Sequence, residues 1–254
     1  FTHPVTGKKL LLRVNCGSQM HLQHQIEYEA HALKLIECSG RTPKVLYVDG
    51  SKKILDHGVL VMEHLPGHAM DYHTELMLAA PCLADIHSVP IPESEEILIH
   101  PENPLKAILE ECEEMFKVYL ESPLGDEEKK TYIRELLNLG WKREAEIRLE
   151  SGYQCCINTE LNSTNFLING EGKTNYLIDW EKPLFGNPAQ DLGHFLAPTT
   201  TFWKTDVILT KEEIEKFIDA YIKAVGNRFK TDMVREHTHA FIPVTCLRGI
   251  TWCA

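Results

Sequence analysis

Glu160 and Asn165 stand five residues apart, and Asp179 follows fourteen residues later. Asn158 heads the same run, Asn158-Thr159-Glu160-Leu161-Asn162-Ser163-Thr164-Asn165, and Asp179 lies in Ile178-Asp179-Trp180-Glu181. A carboxylate, an amide and a second carboxylate form a set suited to phosphoryl transfer. That reaction asks little covalent chemistry of a protein. It needs alignment, metal ions that bridge the phosphates, and a carboxylate that orients the attacking hydroxyl. Glu160 is the candidate for that carboxylate, and Asn165 and Asp179 offer the oxygen ligands that Mg²⁺ prefers. Taken singly, the residues have plainer explanations: Asn162, Ser163 and Asn165 as turn formers, Asp179 as a strand-end cap. The joint spacing, with a strand–turn–strand between, favours the chemical reading.

The elements that must position this set can be read from periodicity. Lys9 to Asn15 alternates as a strand, with Leu10, Leu12 and Val14 on one face and Leu11 and Arg13 on the other. His21 to Glu37 reads as a helix with Ile26, Ala30, Leu33 and Ile36 on one stripe, ended by Ser39-Gly40. Strands follow at Lys44 to Asp49 and Gly58 to Glu63. Leu65-Pro66-Gly67 interrupts regular structure and marks a hinge. Beyond it the pattern is mainly helical: Glu75 to His87, Pro104 to Glu121 and Glu127 to Glu150. Phe166 to Ile168 and Tyr176 to Ile178 read as a hairpin whose second strand ends at Asp179. Thr210-Lys211-Glu212-Glu213 is a capping box that opens a helix to about Val225.

Other residues carry two readings each. Arg13 on its strand and Glu29 on the following helix could form a phosphate-holding pair or a surface ion pair of little consequence. Asp191 could cap the helix Leu192 to Leu196 or buttress the loop at 158–165. His87 reads as a hydrogen-bonded core histidine, and Trp180, Trp203 and Trp252 as packing residues.

With 254 residues the chain can bury a sizeable core. Its net charge of −11 argues against a nucleic-acid partner, which requires a basic face. No apolar run approaches the roughly 18–20 residues of a membrane span, and no secretory signal is visible. The eight cysteines form no CxxC pair and sit mostly in apolar contexts, as expected for free buried thiols in the reducing cytoplasm. His237-Thr238-His239 has no companion cysteines for a zinc site.

On these motifs the chain resembles the aminoglycoside phosphotransferase / choline kinase family of small-molecule kinases, over nearly its whole length. The family pattern is H-x-D-x-x-x-x-N, an I-D-W/F-E strand end and a D-L helix start. Asn158, Glu160, Asn165, Asp179, Glu181, Asp191 and Leu192 occupy those places. Leu10 to Asn15 resembles the phosphate-binding strand and Glu29 to Ile36 the glutamate-bearing helix. Leu60-Val61-Met62-Glu63-His64-Leu65-Pro66-Gly67 is similar to the linker whose backbone, here at Glu63 and Leu65, holds adenine.

The resemblance implies an α+β, two-lobed protein-kinase-like fold. A nucleotide-binding lobe at 1–64, with a small antiparallel sheet and a helix, would precede a mainly helical catalytic and substrate lobe at 65–254. It also implies ATP, Mg²⁺ and γ-phosphoryl transfer to a hydroxyl of a small molecule. Asp71, Glu75, Glu181 and Asp206 could line a cationic acceptor site. The family's first strands and glycine-rich turn are expected before Phe1, and further helical chain after Ala254. A protein kinase fits less well, because only twelve residues separate Asp179 from Asp191 and no Ala-Pro-Glu triplet follows.

Two departures open a second reading. Glu160 stands where the family has Asp, adding one methylene, and Asn158 stands where an imidazole braces the loop. A shift of about 1 Å in a catalytic group can cost on the order of a hundredfold in rate. A nucleotide-binding pseudokinase that acts as a regulatory or partner-binding module is therefore the alternative to an active kinase. Transfer of another part of the nucleotide, such as AMP, is a third reading.

Overall fold

The computed structural model describes residues 1–147, 149 and 152–254. It opens with β1 (Leu10–Asn15), followed by α1 (Gln25–Ile36), β2 (Val45–Asp49) and β3 (Gly58–Glu63). The three strands form an antiparallel sheet in the order β1-β3-β2. Register pairs Arg13 with Leu60 and Leu11 with Met62, so Arg13 shares a face with the buried side chain of Leu60. The apolar stripe of α1 covers that face: Ile26, Ala30, Leu33 and Ile36 are all buried. Leu12 and Val14 point the other way and are exposed, as one-sided cover of an edge strand leaves them.

The helix α1 starts later than its apolar pattern predicts. Ser18 accepts from the Leu22 N–H and donates to Gln25 Oε1, and His21 takes a positive φ of 55°. These turns hold 18–24 outside the helix. At the other end Gly40, at φ 67°, closes a single 3₁₀ turn, Glu37–Ser39.

After β3 the chain crosses through 64–67 into a short strand that the sequence did not reveal, β4 (His68–Ala69). Gly67 has a φ of 133°, and a Cβ there would lie 2.9 Å from the Leu167 carbonyl carbon. Only glycine permits this approach. β4 pairs with β6 (Phe166–Ile168), which pairs with β7 (Tyr176–Leu177). A further two-stranded ladder joins β5 (Cys155–Ile157) to β8 (Leu184–Gly186), so the catalytic-loop candidate leaves a strand end.

The remainder is helical. α2 (Tyr72–His87) is capped by Asp71, α3 (Pro104–Glu121) by Asn103 and α4 (Glu127–Glu144) by Asp126. The expected helix end at Glu150 lies outside the described residues. α5 (Pro188–Leu196) is capped by Asn187, and α6 (Pro198–Lys204) follows directly. α7 (Lys211–Val225) carries both bonds of the capping box, and α8 (Val234–Cys253) runs to the end. Among the described residues, no helix is long and apolar enough to cross a membrane.

One apolar cluster joins α1 and β3 to α2, β6, α5 and α7, with Leu60, Leu83, Phe166, Trp180, Phe195 and Phe217 fully enclosed. Each such side chain contributes about 1.5–3 kcal/mol of burial free energy. The core therefore reaches both sides of the site and fixes its geometry. Cys82, Cys112, Cys155 and Cys156 are buried free thiols, whereas Cys16, Cys38 and Cys253 are exposed, so the apolar-context rule holds for only part of the set.

Candidate active site

The loop 158–165 is fixed mainly by one buried carboxylate. Asp191, in the first turn of α5, is fully buried. Its Oδ2 accepts from the Asn158 N–H at 2.8 Å and its Oδ1 from the Thr159 N–H at 2.7 Å. Asn187 caps the helix, so Asp191 is free to serve as the loop's buttress. Behind it, His87 Nε2 lies 3.1 Å from Asp191 Oδ2, and His87 Nδ1 lies 2.9 Å from the Tyr221 hydroxyl. An ionised carboxylate only accepts, so Nε2 donates to it and Nδ1 accepts from Tyr221. His87 is the core histidine expected, but it also links the loop to α7.

Asn158 is buried, and its side chain bonds in two directions. Its Nδ2 donates to the Asp179 carbonyl at 2.7 Å, and its Oδ1 accepts from the Glu160 N–H at 3.2 Å. A single amide thus ties the Glu160 backbone to the Asp179 backbone. Asn165 Nδ2 donates to the Glu160 carbonyl at 3.1 Å, which leaves Asn165 Oδ1 available as a ligand. The Ile178 N–H donates to the Asn165 carbonyl at 2.9 Å, which places Asp179 one residue beyond. β7 ends at Leu177, so Asp179 lies past the strand, at a φ of 64°. That left-handed turn swings its carboxylate back towards the sheet of β1.

There it meets Arg13, whose guanidinium contacts three carboxylates. Nε lies 2.9 Å from Glu29 Oε2, an ion pair without a hydrogen bond's alignment. Nη1 lies 3.2 Å from Asp179 Oδ1, and Nη2 lies 2.6 Å from Glu181 Oε2. Burial acts to lower the Arg13 pKa, but Glu29, Asp179 and Glu181 together raise it above its ordinary value. Burial pushes the Glu29 carboxyl up to about 7, with Arg13 opposing the shift and Asp179 and Glu181 adding to it. The Arg13–Glu29 pair is thus part of a four-residue cluster rather than an isolated surface pair.

The linker residues lie at one margin. The Glu63 N–H donates to the Lys44 carbonyl, so it is already engaged. Among the described residues the Leu65 N–H has no hydrogen-bond partner, as a backbone donor kept for a ligand would require.

A cavity of about 880 Å³ opens beside Glu160. Glu160 Oε1 lies 2.9 Å from Lys182 Nζ and 3.7 Å from Arg248 Nη2. Arg248 is itself clamped by both oxygens of Glu111, at 2.7 and 2.9 Å. His194 lies in the same wall, where burial and then Arg248 push its imidazole down to about 4. Trp203 and Trp252 line the cavity edge-to-face, with ring centroids 4.9 Å apart, and both are more than half exposed. Their expected role in packing therefore fits Trp180 alone. Among the described residues Asp71, Glu75 and Asp206 do not line this cavity, and Glu181 faces Arg13 instead. A second cavity of about 520 Å³, lined by Arg13 to Ser18 and Glu181, shares Gln19 with the first.

Sequence reasoning missed Thr159, Lys182, Arg248 and Glu111. Lys182 directly follows the Ile-Asp-Trp-Glu run, and that proximity was the one available signal. Glu111 and Arg248 come from α3 and α8, and only the fold brings them together.

The profile of the phosphotransferase enzyme family matches residues 3–237. An ethanolamine kinase from Plasmodium vivax is similar in structure, at a TM-score of 0.64 and 16% identity over 98% of this chain and 70% of that one. The choline kinase LicA from Streptococcus pneumoniae matches at 0.61 and 19% identity, over 97% of this chain and 78% of that one. An aminoglycoside phosphotransferase from Streptomyces rimosus, solved with ADP and streptomycin, matches at 0.58 and 14% identity, over 98% and 88%. No curated protein sequence matches. At these identities the structural likeness shows the two-lobed, protein-kinase-like fold and nothing finer.

Proposed function

The chain belongs to the phosphotransferase enzyme family, and from that premise we propose that it is an ATP- and Mg²⁺-dependent kinase of a small hydroxylated molecule. The observation that supports this reading is that the Asn158 and Asn165 side chains tie the Glu160 backbone to the loop end and to the Asp179 carbonyl. We read residues 1–64 as the nucleotide lobe and 65–254 as the catalytic and substrate lobe.

Asn165 Oδ1 and an Asp179 carboxylate oxygen are the hard oxygen donors that would hold Mg²⁺, which would supply charge neutralisation on the phosphates. Arg13 turns from Asp179 and Glu181 towards the phosphates while Glu29 retains its hold on Nε. The free Leu65 N–H and the Glu63 carbonyl accommodate adenine. The acceptor hydroxyl lies against Glu160, which orients it and takes its proton. Its oxygen bonds to the γ-phosphorus as the bond to the β–γ bridging oxygen breaks, and ADP leaves.

The acceptor occupies the cavity lined by Trp203 and Trp252. Both carboxylates of that wall, Glu160 and Glu111, are already paired with cations. A cationic acceptor would therefore be held over an indole face, and a neutral sugar or amino alcohol could stack there by its apolar face.

The occupied state of Glu160 Oε1 favours one alternative, a nucleotide-binding pseudokinase. Thermal denaturation with and without Mg-ATP, run beside an ADP-release assay on a panel of hydroxylated metabolites, separates the two. A raised melting temperature together with ADP release supports the kinase. A raised melting temperature without release on any acceptor supports the pseudokinase, and no shift contradicts both.

A further inference from the structure

We propose that Lys182 is a positioning residue for Glu160, pinning one carboxylate oxygen so that the other is presented to the acceptor hydroxyl. The inference rests on the reading of Glu160 as the group that orients that hydroxyl.

A glutamate in this place has one more rotatable bond than an aspartate, and each bond left free spreads the carboxylate over several positions. The surroundings of Glu160 remove that freedom from both ends. Its backbone is fixed: the N–H is held by Asn158 Oδ1, and the carbonyl accepts from Asn165 Nδ2 at 3.1 Å and Asn162 Nδ2 at 3.3 Å. Its carboxylate is fixed by Lys182, with Nζ 2.9 Å from Oε1 and the lysine side chain only 15% exposed.

Lys182 is anchored in turn. Its carbonyl accepts from the Thr159 hydroxyl at 2.7 Å, and the Thr159 N–H is held by buried Asp191. Thr159 adopts a φ of 71°, a conformation unusual for a β-branched residue, and these two bonds account for it. The loop thus carries Glu160 and grips the segment that carries Lys182.

Both cation contacts fall on Oε1. Arg248 is engaged by Glu111 and stays at 3.7 Å, a secondary approach. Among the described residues Glu160 Oε2 has no ion pair or hydrogen bond. That asymmetry distinguishes positioning from simple neutralisation, because a carboxylate bridged at both oxygens would present no unpaired oxygen to a substrate.

The test measures ADP release from Mg-ATP with water as the acceptor, on Lys182→Met, Lys182→Arg, Glu160→Ala and the double variant Lys182→Met/Glu160→Ala. Lys182→Met should lower kcat on the order of tenfold to a hundredfold, with KM for ATP within about twofold of wild type. Lys182→Arg should recover most of the loss. In the Glu160→Ala background Lys182→Met should change nothing further, since the two residues act as one unit. An undiminished kcat in Lys182→Met, a loss that persists in the double variant, or an effect confined to KM for ATP would each overturn the positioning role. Full activity of Glu160→Ala would instead remove Glu160 from the acceptor-orienting role, and no ADP release by wild type with water or with any acceptor of the metabolite panel would overturn the kinase reading beneath it.

Discussion

Asn158 Nδ2 donates to the Asp179 carbonyl at 2.7 Å while its own Oδ1 accepts from the Glu160 N–H. The buried amide thereby ties the backbone of the loop at Glu160 to the backbone beyond β7 at Asp179. Asn158→Ala should leave a partly buried carbonyl unpaired, at about 1–3 kcal/mol. It should also lower turnover on the order of a hundredfold, since both groups drift. Chemical denaturation and ADP release measured on the same preparation check the two effects together.

Asp191 is the deeper support, with three donors converging on one buried carboxylate. Asp191→Ala should destabilise the chain by about 3 kcal/mol, because two loop amides and His87 lose their acceptor. Asp191→Asn keeps the volume but brings two donors against three, and should also destabilise. Urea unfolding reads both, and a variant with wild-type stability would contradict the buttress.

Arg13 bridges three carboxylates with a planar fork that lysine cannot reproduce. Arg13→Lys should raise the dissociation constant for Mg-ATP about tenfold or more, while lowering stability by no more than about 1 kcal/mol, because the cluster is partly exposed. Titration calorimetry gives the first quantity and denaturation the second. Unchanged affinity would remove Arg13 from the phosphate site.

Two perturbed groups predict a compensated pH profile. Glu29 titrates near 7 rather than 4.5, so between these values the folded chain binds more protons there than the unfolded chain, and stability falls as pH rises. His194 titrates near 4 rather than 6.5, so the unfolded chain binds more protons between those values, and stability rises with pH. The slopes oppose each other in the overlap of the two windows. Relative to wild type, Glu29→Gln should lose melting temperature as the pH falls through that overlap, and His194→Phe should lose it as the pH rises towards 7. Parallel profiles for all three proteins would contradict the shifts.

Much of this arrangement is legible in the sequence. α3 spans Pro104–Glu121 as its amphipathic pattern predicts, and Thr210 with Glu213 opens α7 with both bonds made. The stripe Ile26, Ala30, Leu33, Ile36 is buried as its period requires. What stayed hidden was short or distant. β4, β5 and β8 hold two or three residues each, too few for an alternation to show. Asp191 could be read as a cap or a buttress until Asn187 proved to be the cap. The cations beside Glu160 come from two separate stretches of chain, and no local pattern encodes such contacts. The indoles at 203 and 252 read as packing residues, yet they border open space.

The most direct measurement follows the γ-phosphorus of labelled ATP into hydroxylated acceptors, with wild type and Glu160→Ala compared under Mg²⁺. The label should pass to one acceptor class with wild type and fall on the order of a hundredfold or more in the variant. Label that never leaves ATP, or that transfers equally well without the Glu160 carboxylate, would contradict the account.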